Sequence, residues 1–201
     1  MSDKYGVQND PYCWPGTTVL TNELGIREEA RLADAEAEFA AVALERIEIE
    51  APPFNLAYLR LLHRQLFCDV YSWAGELRSV DIAKGTTRFC TASRIAPEAE
   101  KVMRTLDQLD IHTLSWPDAL PLLVECFGEL NIVHPFREGN GRALRLFFEH
   151  FLVVNGMGVD WNRVQREEWV TACIAAVACD YSSLVAIFDR CIITTLSDDT
   201  A

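Results

Sequence analysis

The sequence predicts an all-α fold: a bundle of six to eight helices with one small β-hairpin. Three observations carry that reading. Apolar residues recur at spacings of three and four through most of the chain, the period of a helix with one buried face. Residues 77–91 change to an alternating period, the period of a strand. No internal repeat or low-complexity linker interrupts the pattern, and half of the 201 residues are hydrophobic. That is enough for a substantial core, and residues 1–201 are read as a single domain.

Taken in order, residues 1–24 carry turn signals at Asp10-Pro11 and Trp14-Pro15-Gly16, with Tyr12 and Trp14 read as ordinary packing. Residues 26–47 read as a helix whose apolar face is Leu32, Ala35, Phe39 and Val42. Glu28, Glu29, Asp34, Glu36 and Glu38 cover the rest as a solvated acidic face, and acid near the N-terminus suits the helix dipole. Pro52-Pro53 breaks the chain, and Asn55 caps the next helix, which runs through Leu59, Leu62 and Leu66. His63 on that helix is read as structural, the ordinary role of a lone helical histidine.

In the alternating stretch, Val80 and Ile82 precede a break at Lys84-Gly85, and Thr87, Phe89 and Thr91 follow it, which is a hairpin pattern. Pro97 opens a helix with Val102, Leu106 and Leu109 on its apolar face. Ser115, as N-cap, starts a long helix whose apolar run is residues 122–133. Another apolar run, residues 144–154, stops at Asn155-Gly156. Two helices close the chain: residues 166–178, lined by Trp169, Cys173 and Val177, and residues 182–196, lined by Leu184, Ile187, Phe188 and Cys191.

The chemistry concentrates between the two long apolar runs, from His134 to Arg145. Glycines flank Asn140, so the backbone can turn and come close to a ligand. The first N–H groups of the following helix have no intrahelical partner and, with the helix dipole, make an anion site. Arg142 and Arg145 are three apart, share a face of the first turns, and can direct guanidinium forks at phosphate oxygens. Glu138 adds a hard carboxylate suited to Mg²⁺ bridging phosphates. His134 supplies an imidazole, the usual base near neutral pH. Phosphate cradle, metal carboxylate, paired arginines and a base together describe a nucleotide phosphoryl-type transfer site.

Composition narrows the partners. A formal net charge of −12 argues against nucleic acid as a ligand, since phosphate backbones need a basic footprint. It leaves room for ATP, which needs only a local positive site. Seven cysteines, none in Cys-x-x-Cys spacing, read as reduced thiols in a cytoplasmic protein. No signal peptide is evident and no apolar run approaches membrane-spanning length.

The His134–Arg145 stretch resembles the signature of the Fic family, His-x-Phe-x-Asp/Glu-Gly-Asn-Gly-Arg-x-x-Arg, with every fixed position present. The His63, Leu66, Phe67 spacing, Trp73-Ala74-Gly75 with Arg78, and the Asp10-Pro11-Tyr12 opening extend the likeness along essentially the whole chain, toward the short free-standing Fic toxins of bacteria. The resemblance implies the Fic fold and transfer of AMP from ATP to a hydroxyl side chain of a target protein. It implies His134 as general base, Phe136 as the anchor of the loop, and Glu138 as the Mg²⁺ ligand between the α- and β-phosphates. Asn140 would orient the α-phosphate, and the N–H groups of Gly139, Asn140, Gly141 and Arg142 would form the anion hole. Arg142 falls to the β-phosphate and Arg145 to the γ-phosphate. Arg137 is variable in the family and is assigned nothing. The hairpin at 77–91 becomes the flap, docking the target by main-chain pairing along Thr87, Arg88 and Phe89.

Gly141 matters because related Doc toxins carry lysine there and phosphorylate their target instead. Regulation is implied by an absence. Many Fic proteins carry an inhibitory Ser/Thr-x-x-x-Glu-Gly/Asn helix, and here only Ser72 has a glutamate four residues on, Glu76, followed by Leu77. The resemblance therefore implies a small separate antitoxin supplying that helix. It also points to a target, the ATPase subunits of type II topoisomerases, DNA gyrase and topoisomerase IV. A Fic enzyme with another nucleotide donor, and a nucleotide-binding interaction protein with little catalysis, stand as alternatives.

Overall fold

A computed structural model describes residues 10–49 and 53–193. Its elements in chain order are α1 Glu29–Leu44, α2 Leu56–Phe67, β1 Ala83–Lys84, β2 Thr87–Arg88, α3 Ile95–Asp107, α4 Trp116–Val133, α5 Asn140–Val154, β3 Gly158–Val159, α6 Arg166–Ala176, α7 Ser182–Cys191 and β4 Ile192–Ile193. This is the expected helical bundle with a small hairpin. Strands β1 and β2 pair antiparallel, Ala83 opposite Arg88 and Lys84 opposite Thr87, so Gly85 and Thr86 make the turn. Among the described residues no helix is long and apolar enough to cross a membrane.

The middle of the bundle is α4 and α5, the two most apolar helices. Buried Leu123, Phe127 and Leu130 on α4 and Leu144, Phe147, Phe148 and Leu152 on α5 join one contiguous core. Helix α2 packs on α5, α3 on α4, and α6 and α7 close the far side. Aromatic edges lock the layers: Phe127 meets Phe148 at 5.2 Å and Phe188 at 5.1 Å between ring centroids, an edge-on geometry that favours the ring quadrupoles. Asn55 caps α2 as expected, accepting the Tyr58 N–H at 3.0 Å. Ser115 precedes α4 but bonds its hydroxyl to Asp118 at 2.5 Å instead of capping the backbone. The expected face of α7, Leu184, Ile187, Phe188 and Cys191, is buried throughout.

Helix α1 departs from expectation. Its buried face is Leu32, Glu36 and Ala40, while Phe39 and Val42 are exposed. A glutamate displaces two large apolar residues from the interior because it meets a cation there, described below. On α6 the buried residues are Ala172 and Ala176, with Val177 exposed. The last helix ends at Cys191, and Ile192–Ile193 pair with Gly158–Val159 in a second short ladder. Two residues are too few to show a period. The remainder of the expected helix, to Leu196, lies outside the described residues, as does Pro52.

Candidate active site

Helix α4 ends on His134, whose N–H still bonds to the Leu130 carbonyl at 3.1 Å while its own backbone turns left-handed, φ 46°. Histidine is among the few non-glycine residues that enter that region with any frequency. The chain then crosses to α5, whose N-cap is Gly139 at φ 79°. Two constraints fix glycine at 139: the positive φ, and Phe67, whose Cε2 would lie 2.4 Å from a Cβ. Gly141 answers to a different constraint, since a Cβ there would meet nothing within 4 Å. The absent side chain leaves open space beside the first N–H groups of α5.

The loop is fastened from behind by buried polar groups. Arg78, 2 % exposed, donates through Nε to the His134 carbonyl at 2.8 Å. Its Nη1 reaches the Val80 carbonyl at 2.6 Å, and its Nη2 reaches the carbonyls of Val133, at 3.2 Å, and Cys90. One guanidinium thus satisfies the frayed end of α4 and both arms of the hairpin. His63 donates from Nε2 to the Glu138 carbonyl at 2.9 Å and accepts the Gly75 N–H at Nδ1, also 2.9 Å. That pairing needs the neutral ring, and burial lowers the His63 pKa to about 4. The ring stacks on fully buried Phe136 at 3.8 Å.

The groups expected to react stand in front of this frame. His134 donates from Nδ1 to the Asn131 carbonyl at 3.0 Å, which leaves the basic lone pair of the neutral ring on Nε2. Burial lowers its pKa to about 4, so the ring is neutral near pH 7. Phe89 of the hairpin stacks on it, centroids 3.9 Å apart. The Phe89 N–H bonds to the Ile82 carbonyl at 3.2 Å, extending the ladder beyond β2. Thr87 and Arg88 sit in β2 on the hairpin tip, where exposed Arg88 approaches Asp81 at 3.9 Å.

Glu138 is half-buried, with one carboxylate oxygen accepting the Gly139 N–H at 3.2 Å. Among the described residues no group of three or more His, Cys, Asp or Glu could hold a metal ion. A single carboxylate fits Mg²⁺ nonetheless, because Mg²⁺ is usually held by one or two carboxylates, substrate phosphates and water.

The Asn140 side chain bonds both ways to Phe136, accepting its N–H and donating to its carbonyl, each at 2.8 Å. The side chain is engaged within the loop and does not point outward as the expected α-phosphate contact would require, which leaves the backbone N–H as the group open to an anion. The two arginines diverge from the shared face read in the sequence. Arg142 turns toward α1, where Glu36 pairs with its Nη2. Arg145 turns toward α6, its guanidinium 5.5 Å from the Trp169 ring centroid. Among the described residues no carboxylate forms an ion pair with Arg145. Burial and the neighbouring Arg142 charge lower its pKa, a desolvated cation that an anion would stabilise.

Sequence reasoning left out one residue of this frame altogether. Arg137 is buried and pairs with buried Asp10, Nε to Oδ2 at 2.6 Å, tying the start of the described chain to the loop. No local pattern links positions 127 residues apart. The one available signal was an arginine standing between two residues of the loop, Phe136 and Glu138.

Comparison with known proteins gives the same grouping. A Fic/DOC family model matches residues 53–152. A relative in Salmonella typhimurium, described as a probable protein adenylyltransferase Fic, is 38% identical over 193 residues, 96% of each chain. One of the same description in Escherichia coli is 36% identical over 191 residues, 94% of this chain and 96% of its own. The crystal structure of the BepC effector protein of Bartonella tribocorum, solved with bound AMPPNP, superposes with a TM-score of 0.81 at 28% identity, covering 90% of this chain and 95% of that one.

Proposed function

The chain belongs to the Fic/DOC family, and on that premise we propose that it is a protein adenylyltransferase moving AMP from ATP to a hydroxyl side chain of a target protein. One observation carries the reading. A neutral imidazole with Nε2 as its basic atom stands at the start of the loop that opens α5, whose N-terminal N–H groups, Arg142 and Arg145 form a cationic end with space left by Gly141.

His134 takes the proton of the target hydroxyl as its oxygen attacks the α-phosphorus of ATP. The new bond is the phosphodiester between target oxygen and AMP. The bond that breaks joins the α-phosphorus to the bridging oxygen, and pyrophosphate leaves with that electron pair. The N–H groups of Asn140, Gly141 and Arg142 face the phosphate oxygens, while that of Gly139 joins them only when the Glu138 carboxylate releases it. Arg142 serves the β-phosphate and Arg145 the γ-phosphate. Glu138 would hold Mg²⁺, and the ion would supply positive charge to offset that of the leaving pyrophosphate. The edge at Thr87, Arg88 and Phe89 docks an extended segment of the target by strand addition, setting its hydroxyl beside His134.

The finer reading is that of a cytoplasmic toxin acting on the ATPase subunits of DNA gyrase or topoisomerase IV. A small antitoxin would hold it off by presenting a carboxylate to Arg145 in place of the γ-phosphate. The family likeness supports this, as does an Arg145 with no ion-paired carboxylate among the described residues. The test is transfer of label from ATP into proteins of a bacterial lysate. Label should pass from α-³²P-ATP and not from γ-³²P-ATP, and His134→Ala should reduce it by about 10²–10⁴-fold while nucleotide binding persists. Transfer of the γ label would contradict the reading, as would unchanged transfer by His134→Ala.

A further inference from the structure

The signature names Arg142 but nothing behind it. In the structure its guanidinium is fixed on three sides. Glu36 of α1 pairs with Nη2, and the Glu36 backbone carbonyl accepts from Nη1 at 3.3 Å. The flat face lies over the Phe67 ring, 4.7 Å from guanidinium carbon to ring centroid. Phe67 is the same ring that excludes a side chain at 139, so Arg142 and the turn that opens α5 rest on one surface.

Glu36 is itself held. Its second carboxylate oxygen accepts the Tyr71 hydroxyl at 2.5 Å. Tyr71 is 1% exposed and stacks on Trp73 at 4.4 Å. A buried carboxylate in a surface-type helix is costly unless paired and hydrogen-bonded on both oxygens, and here it is both. Glu36, Tyr71 and Glu138 also line one cavity of about 90 Å³, so the pair lies on the same flank of the loop as the proposed metal carboxylate. A guanidinium has five N–H donors, and two nitrogens face Glu36. Each of those nitrogens carries a second N–H, and the Arg142 side chain is still 27% exposed.

From this geometry we infer that Glu36, braced by Tyr71, is a positioning residue that sets Arg142 for the β-phosphate of the nucleotide. The inference rests on the phosphate role proposed for Arg142. Glu36 acts on the nucleotide only through that arginine. Its effect should therefore appear on ligands that carry a β-phosphate and vanish on those that do not.

Calorimetric titration of Mg²⁺-ADP and of AMP into the full chain separates the cases. Arg142→Ala should weaken ADP with AMP nearly unchanged. Glu36→Ala should weaken ADP by about tenfold and AMP by less than about twofold. Glu36→Gln should recover part of the loss, and the near-isosteric Tyr71→Phe should show a smaller loss of the same selectivity. The double variant Glu36→Ala/Arg142→Ala should bind ADP no more weakly than Arg142→Ala alone. Equal losses for ADP and AMP in Glu36→Gln and Tyr71→Phe, as a purely structural role would give, overturn the inference. So does tighter ADP binding, the outcome if the ion pair competes with phosphate. If Arg142→Ala itself leaves the ADP-to-AMP ratio unchanged, the β-phosphate assignment falls and takes the inference with it.

Discussion

Residues 134–140 and the hairpin at 83–89 meet in one stack, Phe89 on His134, and are held in different ways. The loop is gripped by buried side chains from distant parts of the chain: Arg78, His63 and Asp10 all reach its backbone or its side chains. The hairpin has two residues per strand, and the Arg88–Asp81 ion pair on it is exposed. To transfer AMP, the loop must hold phosphate, metal and base within fractions of an ångström. The hairpin must accept a segment of another protein. Buried polar contacts suit the first task, since each has one geometry that satisfies it. An exposed edge suits the second, since strand addition uses main-chain groups any partner carries.

The largest expected effect breaks the grip on the loop. Arg78→Met fills a similar volume but leaves the carbonyls of His134, Val133, Val80 and Cys90 without their donor. Urea denaturation should show a loss of about 3 kcal/mol or more. A loss below about 1 kcal/mol would place the support elsewhere.

The second prediction follows from His63. Its folded pKa, about 4, lies below the ordinary 6.5, so as pH falls the unfolded chain takes up its proton first. Stability is therefore full above pH 6.5 and declines toward pH 4, by up to about 3 kcal/mol from this residue. His134 contributes in the same direction. In His63→Gln the slope of stability against pH, read from denaturation midpoints, should lessen; an unchanged slope would remove His63 from the account.

The smallest expected effect lies on the hairpin. Arg88→Ala removes an exposed ion pair and should change stability by less than about 1 kcal/mol. ATP affinity should hold, while transfer to a protein target declines. Reduced ATP affinity in this variant would blur the division between loop and hairpin.

How much of this was legible in the sequence follows the same division. The order of residues from His134 to Arg145, the Asn55 cap and the buried face of α7 are local patterns, and the structure has them where the spacing put them. The hairpin falls within 77–91, but its ladder is Ala83–Lys84 on Thr87–Arg88, so Lys84, read as part of the break, is paired. What was not legible is long-range pairing of charge. Glu36 looks like one more acid on a solvated helix face, yet it lies buried against Arg142, 106 residues away. Phe39 and Val42 look like a core face and are exposed instead. Helical period places residues on faces, but which face turns inward is decided by what waits there. Arg137 and Asp10 make the same point from the opposite ends of a buried pair. Asn140 adds a smaller one: its position was evident, and its attachment to Phe136 instead of outward was not.

The loop is locked before nucleotide arrives, while the hairpin, though paired, is held more loosely. Amide hydrogen exchange in the nucleotide-free chain, resolved by residue, tests this difference most directly. The Phe136 N–H, bonded to the Asn140 side chain, and the Ala143 N–H, bonded to Gly139, should exchange only on near-global unfolding. The Phe89 N–H, bonded to Ile82 in the hairpin, should exchange orders of magnitude faster. Equal rates for the two regions, or a loop protected only once ATP is added, would contradict the account.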